Sequence, residues 1–174
     1  MFMYFLPGKA KRENALKFFF KATVKYSVIC DECYGVSSPI EGVAIWNRPG
    51  RRKISILGLL RSGFEKLIFT PFVFTIIKSL RLFLKTEKMH KKYAPHPHYY
   101  LSLLAVHPNS HGKGVAGKLL RPILKKSDRM NLGVYLETSN PKNVPMYEHF
   151  GFQVMEELKI QNGLRVWALY RPKK

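Results

Sequence analysis

A glycine-rich segment between residues 111 and 117 is the part of this chain best suited to chemistry. It reads His111-Gly112-Lys113-Gly114-Val115-Ala116-Gly117. The apolar run YYLSLLAV precedes it, and residues with helical periodicity follow it. A strand, a glycine-rich loop and a helix in this order bind phosphate, because backbone N–H groups and the positive end of the helix dipole face the anion. The segment therefore predicts a site for a phosphorylated ligand.

Two common phosphate loops have similar glycine spacing. A Walker loop ends in Gly-Lys-Ser/Thr, whereas here Gly114 follows Lys113, so that loop is excluded. A dinucleotide-binding loop has a third glycine in phase and an acidic residue about 20 positions further on. Gly117 and Glu137 meet both conditions. The glycine pattern alone therefore leaves the type of ligand open.

The composition indicates one globular domain, expected to span residues 1–174. The chain has 46% apolar residues, enough for a hydrophobic core. Its 30 Lys and Arg against 11 Asp and Glu give a net charge of +19, which suggests an anionic partner. The basic residues are spread along the chain, with only short clusters at residues 51–53 and 85–92. Nucleic acid is therefore not expected to be the main partner, and the protein is expected to be a monomer or homodimer.

The cysteines and the most apolar segment indicate that the protein is neither a zinc-ribbon protein nor a membrane-spanning one. Cys30 and Cys33 form a single Cys-x-x-Cys, which lacks the second pair of a zinc ribbon. Their apolar neighbours suggest a strand, so we expect two free thiols in a sheet and no metal. Residues 67–84 are strongly apolar but contain basic residues and Pro71, which favours a packed helix over a membrane span. We therefore expect a cytoplasmic protein without a transmembrane segment.

Periodicity and turn residues predict the elements that position the loop. Helices are expected at Lys9–Tyr26, twice within Ile54–Lys92 with a division near Pro71, at Val115–Met130 with a kink or break at Pro122, and at Val144–Phe150 before Gly151. Strands are expected at Val28–Val36, Gly42–Trp46, Tyr99–Val106, Val134–Thr138, Phe152–Ile160 and Leu164–Tyr170. The predicted class is α/β, with helices flanking a sheet.

Two blocks in this order resemble the GNAT superfamily of N-acetyltransferases. The glycine segment resembles the family's acetyl-CoA loop, Gln/Arg-x-x-Gly-x-Gly/Ala, with His111 in the first position. The stretch Asn140–Phe152 resembles the second block, in which an Asn and a Tyr lie on a short helix that ends in Gly-Phe. The approach from His98 to Pro108 is similar to that of the puromycin N-acetyltransferase-like subgroup. The resemblance extends from about Glu41 to the C-terminus.

This resemblance implies the GNAT acyl-CoA N-acyltransferase fold, a mixed central sheet flanked by helices. Too few residues precede Lys9 for the family's first strand and first helix, so an abbreviated N-terminus is expected. The implied activity is transfer of acetyl from acetyl-CoA, a co-substrate, to a primary amine, expected to belong to a small molecule. Two alternatives stay open: a basic nucleic-acid-binding module, and a GNAT-fold protein that binds CoA without catalysis.

The resemblance also assigns roles to residues. The expected cofactor-binding residues are Leu104, Ala105, Val106, His111, Gly112, Lys113, Gly114, Val115, Ala116, Gly117 and Asn143. Tyr147 is the candidate general acid, because a phenol keeps its proton at neutral pH; the alternative is a packing role. Glu137 is the candidate general base; the alternative is a carboxylate paired with a Lys or Arg. Asn143 could instead cap a helix, and His98 could relay a proton or only shape the bend at residues 96–98.

Overall fold

The computed structural model describes residues 9–50, 61–62, 72–160 and 163–173. Its helices are α1 Lys9–Cys30, α2 Phe72–Tyr93, α3 Val115–Arg129 and α4 Val144–His149. Its strands are β1 Glu32–Val36, β2 Gly42–Asn47, β3 His98–Val106, β4 Gly133–Thr138, β5 Gln153–Lys159 and β6 Arg165–Arg171. Short 3-10 helices at Pro108–Ser110 and Pro141–Asn143 precede α3 and α4.

The six strands form one mixed sheet in the order β1-β2-β3-β4-β6-β5. Neighbouring strands are antiparallel except β3 and β4, which are parallel and are connected by α3. A parallel pair needs a long crossover connection, and the amphipathic α3 supplies it. The predicted mixed sheet flanked by helices is therefore confirmed.

Helices cover both faces of the sheet, because successive residues of a strand point to opposite sides. On one face, α3 and α4 pack on alternate residues of the central strands, such as Leu101 of β3 and Leu136 of β4. On the other face, Met89 of α2 packs against Tyr135 and its neighbours. Helix α1 lies against β1 and β2. The central strands are thus buried on both sides.

The sequence placed some boundaries wrongly. The predicted first strand began at Val28, but α1 continues to Cys30 and β1 begins only at Glu32. Cys30 is therefore buried at the end of a helix and only Cys33 lies in the sheet, both as free thiols. Helix α3 also continues through Pro122 without the predicted break, and the Pro122 side chain is exposed to solvent. The residues before Lys9 and the first predicted helix of the 54–92 segment lie outside the described residues, apart from a helical pair at 61–62.

Candidate active site

The glycine segment forms a tight turn that opens directly into α3. Gly112 and Gly114 both have φ of +75°, a left-handed conformation that side chains rarely adopt. Gly114 is the N-cap residue of α3. The start of this helix is fixed against the sheet, because a Cβ on Gly42 of β2 would lie only 2.7 Å from Val115 Cγ1. The sequence therefore holds the turn at one end of β3.

The turn contains backbone N–H groups that make no hydrogen bond within the described residues. Across the described residues, no protein group accepts a hydrogen bond from the N–H groups of Gly112 or of residues 114–117. The first N–H groups of any helix lack intrahelical partners and carry the positive end of its dipole. A Cβ on Gly112 or Gly114 would meet no atom within 4 Å, so the space before these amides is open. The turn therefore fits an anionic group such as a diphosphate.

Polar side chains near the turn hold its ends. The His111 Nε2–H donates to the carbonyl oxygen of Val106 at 3.1 Å, so this side chain links the turn to the end of β3. Ser110 donates to the Glu41 carboxylate at 3.0 Å. Hydrogen bonds from Ser37 and Ser110 lower the pKa of Glu41, and the charges of Lys113 and Lys118 lower it further. Both lysines are exposed, so they are available to a ligand in the turn.

Strands β3 and β4 separate beside this turn. Their pairing covers only residues 98–101 with residues 133–136. At that point Ser102 is inserted as a bulge, because Trp46 of β2 pairs with Leu101 whereas Ile45 pairs with Leu103. A bulge bends its strand and increases the local twist. Beyond it Leu104, Ala105 and Val106 pair with β2 alone, so a gap opens towards β4.

Glu137 lies at the closed end of this gap, one residue after the last β3–β4 pair. Its carboxylate accepts hydrogen bonds from the hydroxyls of Tyr100 and Tyr135, both at 3.0 Å. Burial raises the pKa of Glu137 to about 7, although the two phenols lower it, and Glu87 adds a smaller upward effect. The partners are phenols and not the Lys or Arg considered as the alternative. A buried carboxylate with this pKa suits a general base at neutral pH.

Tyr147 lies on the opposite face of the sheet from Glu137. It is buried on α4 in the core that includes Leu136, and its ring packs edge-on against Phe152 at 5.8 Å. Burial raises the pKa of Tyr147 to about 12, so the phenol is protonated across the neutral range. Its packing role is therefore observed, and the protonated hydroxyl is compatible with a general acid. The two candidate catalytic side chains therefore lie on different faces of the sheet.

Asn143 and His98 have defined partners. Asn143 occupies the N-cap position of α4, but its side chain makes no capping hydrogen bond and instead accepts one from Asn140 at 3.4 Å. His98 is buried at the start of β3, where its Nδ1 contacts the carbonyl oxygen of His96 at 2.6 Å and its Nε2 contacts His90 Nε2 at 2.6 Å. The first contact matches the expectation that His98 shapes the bend at residues 96–98.

Comparison with known proteins identifies the domain. Residues 89–169 match the family model described as an acetyltransferase (GNAT) domain. This chain carries a GNAT acetyltransferase domain. A Schizosaccharomyces pombe protein named as an uncharacterized N-acetyltransferase is 30% identical over 128 residues, which are 67% of this chain and 49% of that protein. The chain thus spans about half the length of this curated relative.

Solved structures support the GNAT fold. A Corynebacterium glutamicum protein described as histone acetyltransferase HPA2 and related acetyltransferase has a TM-score of 0.65 at 18% identity, covering 99% of this chain and 82% of its own. The ribosomal-protein-S18-alanine N-acetyltransferase of Escherichia coli has a TM-score of 0.51 at 11% identity, covering 95% of this chain and 90% of its own. At these identities the likeness establishes the fold and leaves the acceptor open.

The GNAT site also contains residues that sequence reasoning missed. Tyr100 and Tyr135 contact the candidate base and His90 packs on both of their rings, yet none of the three was predicted as a site residue. The period of two along each strand places His98 with Tyr100, and Tyr135 with Glu137, but one sequence does not reveal that these two pairs lie side by side. Among the described residues no group of three or more His, Cys, Asp or Glu could hold a metal ion, and no described helix is long and apolar enough to cross a membrane.

Proposed function

We propose that this protein is an N-acetyltransferase that uses acetyl-CoA and acetylates a primary amine. The observation that carries the proposal is the gap between β3 and β4. A carboxylate with a near-neutral pKa lies at its closed end, and a turn with unpaired N–H groups lies beyond its open end. An enzyme that transfers an acyl group from a phosphate-bearing donor to an amine needs a base for the amine and a binding site for the phosphates at the two ends of one gap.

The chain's own groups fit the acyl donor. Acetyl-CoA supplies an acetyl group activated as a thioester. The amides of Gly112 and residues 114–117 would hold its diphosphate, with Lys113 and His111 at the edge of the turn. The backbone of Leu104, Ala105 and Val106, which lacks a strand partner on the β4 side, would hydrogen-bond the pantetheine arm, with the Asn143 side chain near it. On that side these residues have no strand partner, although the Val106 carbonyl oxygen accepts a hydrogen bond from the His111 side chain, and a bound ligand would satisfy the remaining N–H and C=O groups.

Two side chains would handle the protons. Glu137 would take a proton from the acceptor nitrogen, either from the ammonium before attack, which frees the lone pair, or from the amine as its bond to the acetyl carbon forms. Tyr147 would donate its proton to the sulfur as the bond from sulfur to the acetyl carbon breaks. The order of their pKa values, about 7 for Glu137 and about 12 for Tyr147, supports the former as the base and the latter as the acid.

The acceptor is proposed to be a small-molecule amine, handled by one GNAT domain spanning residues 1–174. The support is the similarity of residues 98–108 to the puromycin N-acetyltransferase-like subgroup. A cavity of about 540 Å³ adds to it, because Tyr26, Phe83 and Tyr100 line it, and aromatic walls suit an organic molecule. Tyr100 is also the residue whose hydroxyl contacts Glu137, so the cavity and the candidate base share a wall.

Radiolabelled acetyl-CoA and a panel of amines test this function. The panel contains aromatic and aliphatic primary amines, a polyamine and a peptide with a free N-terminus. We expect label in at least one small amine, and loss of transfer in Glu137→Gln with acetyl-CoA binding retained. Binding of acetyl-CoA without transfer to any amine would favour the non-catalytic alternative. A mobility shift with nucleic acid in the absence of CoA binding would favour the nucleic-acid-binding alternative.

A further inference from the structure

A cluster of four rings lies behind the candidate base on the face of the sheet that α2 covers. Tyr100 of β3 and Tyr135 of β4 are paired neighbours and both donate to Glu137. His98 begins β3 two residues before Tyr100, and His90 reaches the same place from α2. The proposed acetyl transfer uses only the carboxylate at the front of this cluster, so the role of the two histidines is unassigned.

The hydrogen bonds select one tautomer of each histidine when both rings are neutral. A carbonyl oxygen only accepts, so the 2.6 Å contact with the His96 oxygen places a proton on His98 Nδ1. When His98 is neutral, its Nε2 is then an acceptor. The 2.6 Å contact between the two Nε2 atoms therefore has His90 Nε2–H as the donor. A backbone carbonyl thus orients His98, and His98 orients His90.

His90 in turn lies flat against the residues that hold Glu137. Its ring is stacked on Tyr135 with centroids 4.5 Å apart and planes at 1°. It also lies 4.8 Å from the Tyr100 ring at 36°. A ring held at one edge by a hydrogen bond restricts how far a stacked phenol can rotate or tilt. His90 thus contacts both of the rings whose hydroxyls donate to Glu137.

We propose that His90, held by His98, is a positioning residue that keeps the Tyr100 and Tyr135 hydroxyls on the Glu137 carboxylate. This inference rests on the proposed function for the meaning of Glu137, and on geometry alone for the coupling of His90 to it. Release of the two phenols would remove hydrogen bonds that favour the ionised carboxylate. The base would then keep its proton to higher pH.

Other charged groups face His90 and enter any pH measurement. Its Nδ1 lies 4.0 Å from Glu87 on the same helix, and Lys91 pairs with Glu87 at 3.3 Å. The cavity of about 540 Å³ that reaches the histidines is also lined by Asp31 and Arg48, from the end of α1 and the end of β2. A variant should therefore remove the ring and leave these charges in place.

The test measures the pKa of Glu137 directly. Protein labelled with ¹³C at glutamate carboxyls is titrated by NMR, and Glu137→Gln assigns the signal. In His90→Ala we expect the pKa of Glu137 to rise by about one unit, because a lost hydrogen bond to a carboxylate has roughly this effect. The ionised fraction at pH 7 would fall from about one half to about one tenth, so kcat/KM should fall about fivefold at pH 7 and recover by pH 9. His149→Ala, on the exposed end of α4, is the control and should change neither quantity.

A second variant covers the possibility that His90→Ala does not fold, which circular dichroism would reveal. His90→Phe keeps a flat ring but lacks the hydrogen bond to His98, and a smaller shift in the same direction is expected. An unchanged pKa of Glu137 in a folded variant would overturn the inference, and so would an equal loss of kcat/KM at every pH. If Glu137→Gln instead retained full transfer, the proposed base would fail, while the NMR titration would still decide whether His90 positions the phenols.

Discussion

Replacement of Glu137 by Gln should remove the proposed base and at the same time stabilise the protein at neutral and alkaline pH. The carboxylate is largely buried, and the described part of the chain gives it hydrogen bonds from two neutral phenols, Tyr100 and Tyr135. Burial raises its pKa to about 7 from an ordinary value of 4.5. Ionisation of this group in the folded state therefore costs free energy, and a neutral amide of similar size avoids that cost.

The size of the effect follows from the two pKa values. The folded protein retains the proton between pH 4.5 and pH 7 where the unfolded chain loses it, so the stability from this group falls as the pH rises through that window. The cost of ionisation is about 0.8 kcal/mol at pH 5 and about 3.4 kcal/mol at pH 8, since each unit of pKa difference corresponds to about 1.4 kcal/mol. The free energy of unfolding of Glu137→Gln relative to the parent should therefore increase by about 2.5 kcal/mol between these pH values.

Urea unfolding at pH 5, 6, 7 and 8 measures this difference. Changes in hydrogen bonding between the amide and the phenols are nearly independent of pH, so they shift all four values together and leave the slope unaffected. Glu148→Gln, which alters an exposed carboxylate on α4, is the control and should show no such trend. Equal pH dependence in the parent and in Glu137→Gln would refute the reasoning, because it would mean that the carboxylate is well solvated.

Three further predictions concern the glycine turn, the proposed general acid and the ion pair between α3 and β6. Gly114→Val should abolish acetyl-CoA binding as measured by calorimetry. The control Gly163→Val has the same left-handed strain and open surroundings in the β5–β6 turn and should leave binding intact. Equal acetyl-CoA affinity in the two variants would contradict binding of the diphosphate by the glycine turn. Tyr147→Phe should lower kcat by about 100-fold with little change in acetyl-CoA affinity, and full kcat at every pH would make Tyr147 a packing residue only. Asp128→Asn should destabilise the protein by roughly 3 kcal/mol in urea unfolding, because it breaks the two-bonded ion pair with buried Arg171; a loss below about 1 kcal/mol would place the pair among ordinary surface ion pairs.

The sequence predicted the parts of the fold that depend on local signals. The glycine turn, the helix after it and the Gly151 terminator follow from residues close in the chain, and all are present. Strand existence also followed from periodicity, and each predicted strand has a counterpart. The boundary at Val28 was wrong because a short apolar β-branched run suits a strand or a helix; in the structure Val28 and Ile29 are exposed in the last turn of α1, whereas Ser27 and Cys30 are buried.

The hydrogen-bond partners of Glu137 could not be predicted from the sequence, for a different reason. Its partners Tyr100 and Tyr135 come from two strands whose parallel register is set by tertiary packing and not by any turn between them. His90 arrives from a helix that the sequence placed correctly, but the rotation of that helix about its axis was not predictable. Residue types therefore indicated a carboxylate near the gap, whereas its hydrogen bonds required the assembled sheet.

The position of β6 has a consequence for how the protein is made. This strand, Arg165–Arg171, is the last of the sheet in the chain, yet it lies inside the sheet between β4 and β5. Its final residue also joins the two helices around the site, because Arg171 binds Asp128 of α3 and the carbonyl oxygen of Phe150 at the end of α4. During synthesis, β4 must therefore keep an open edge until residue 171 has left the ribosome. Such an edge pairs readily with other chains, so we expect a nascent chain that stalls just before β6 to be more prone to aggregation than the complete sheet.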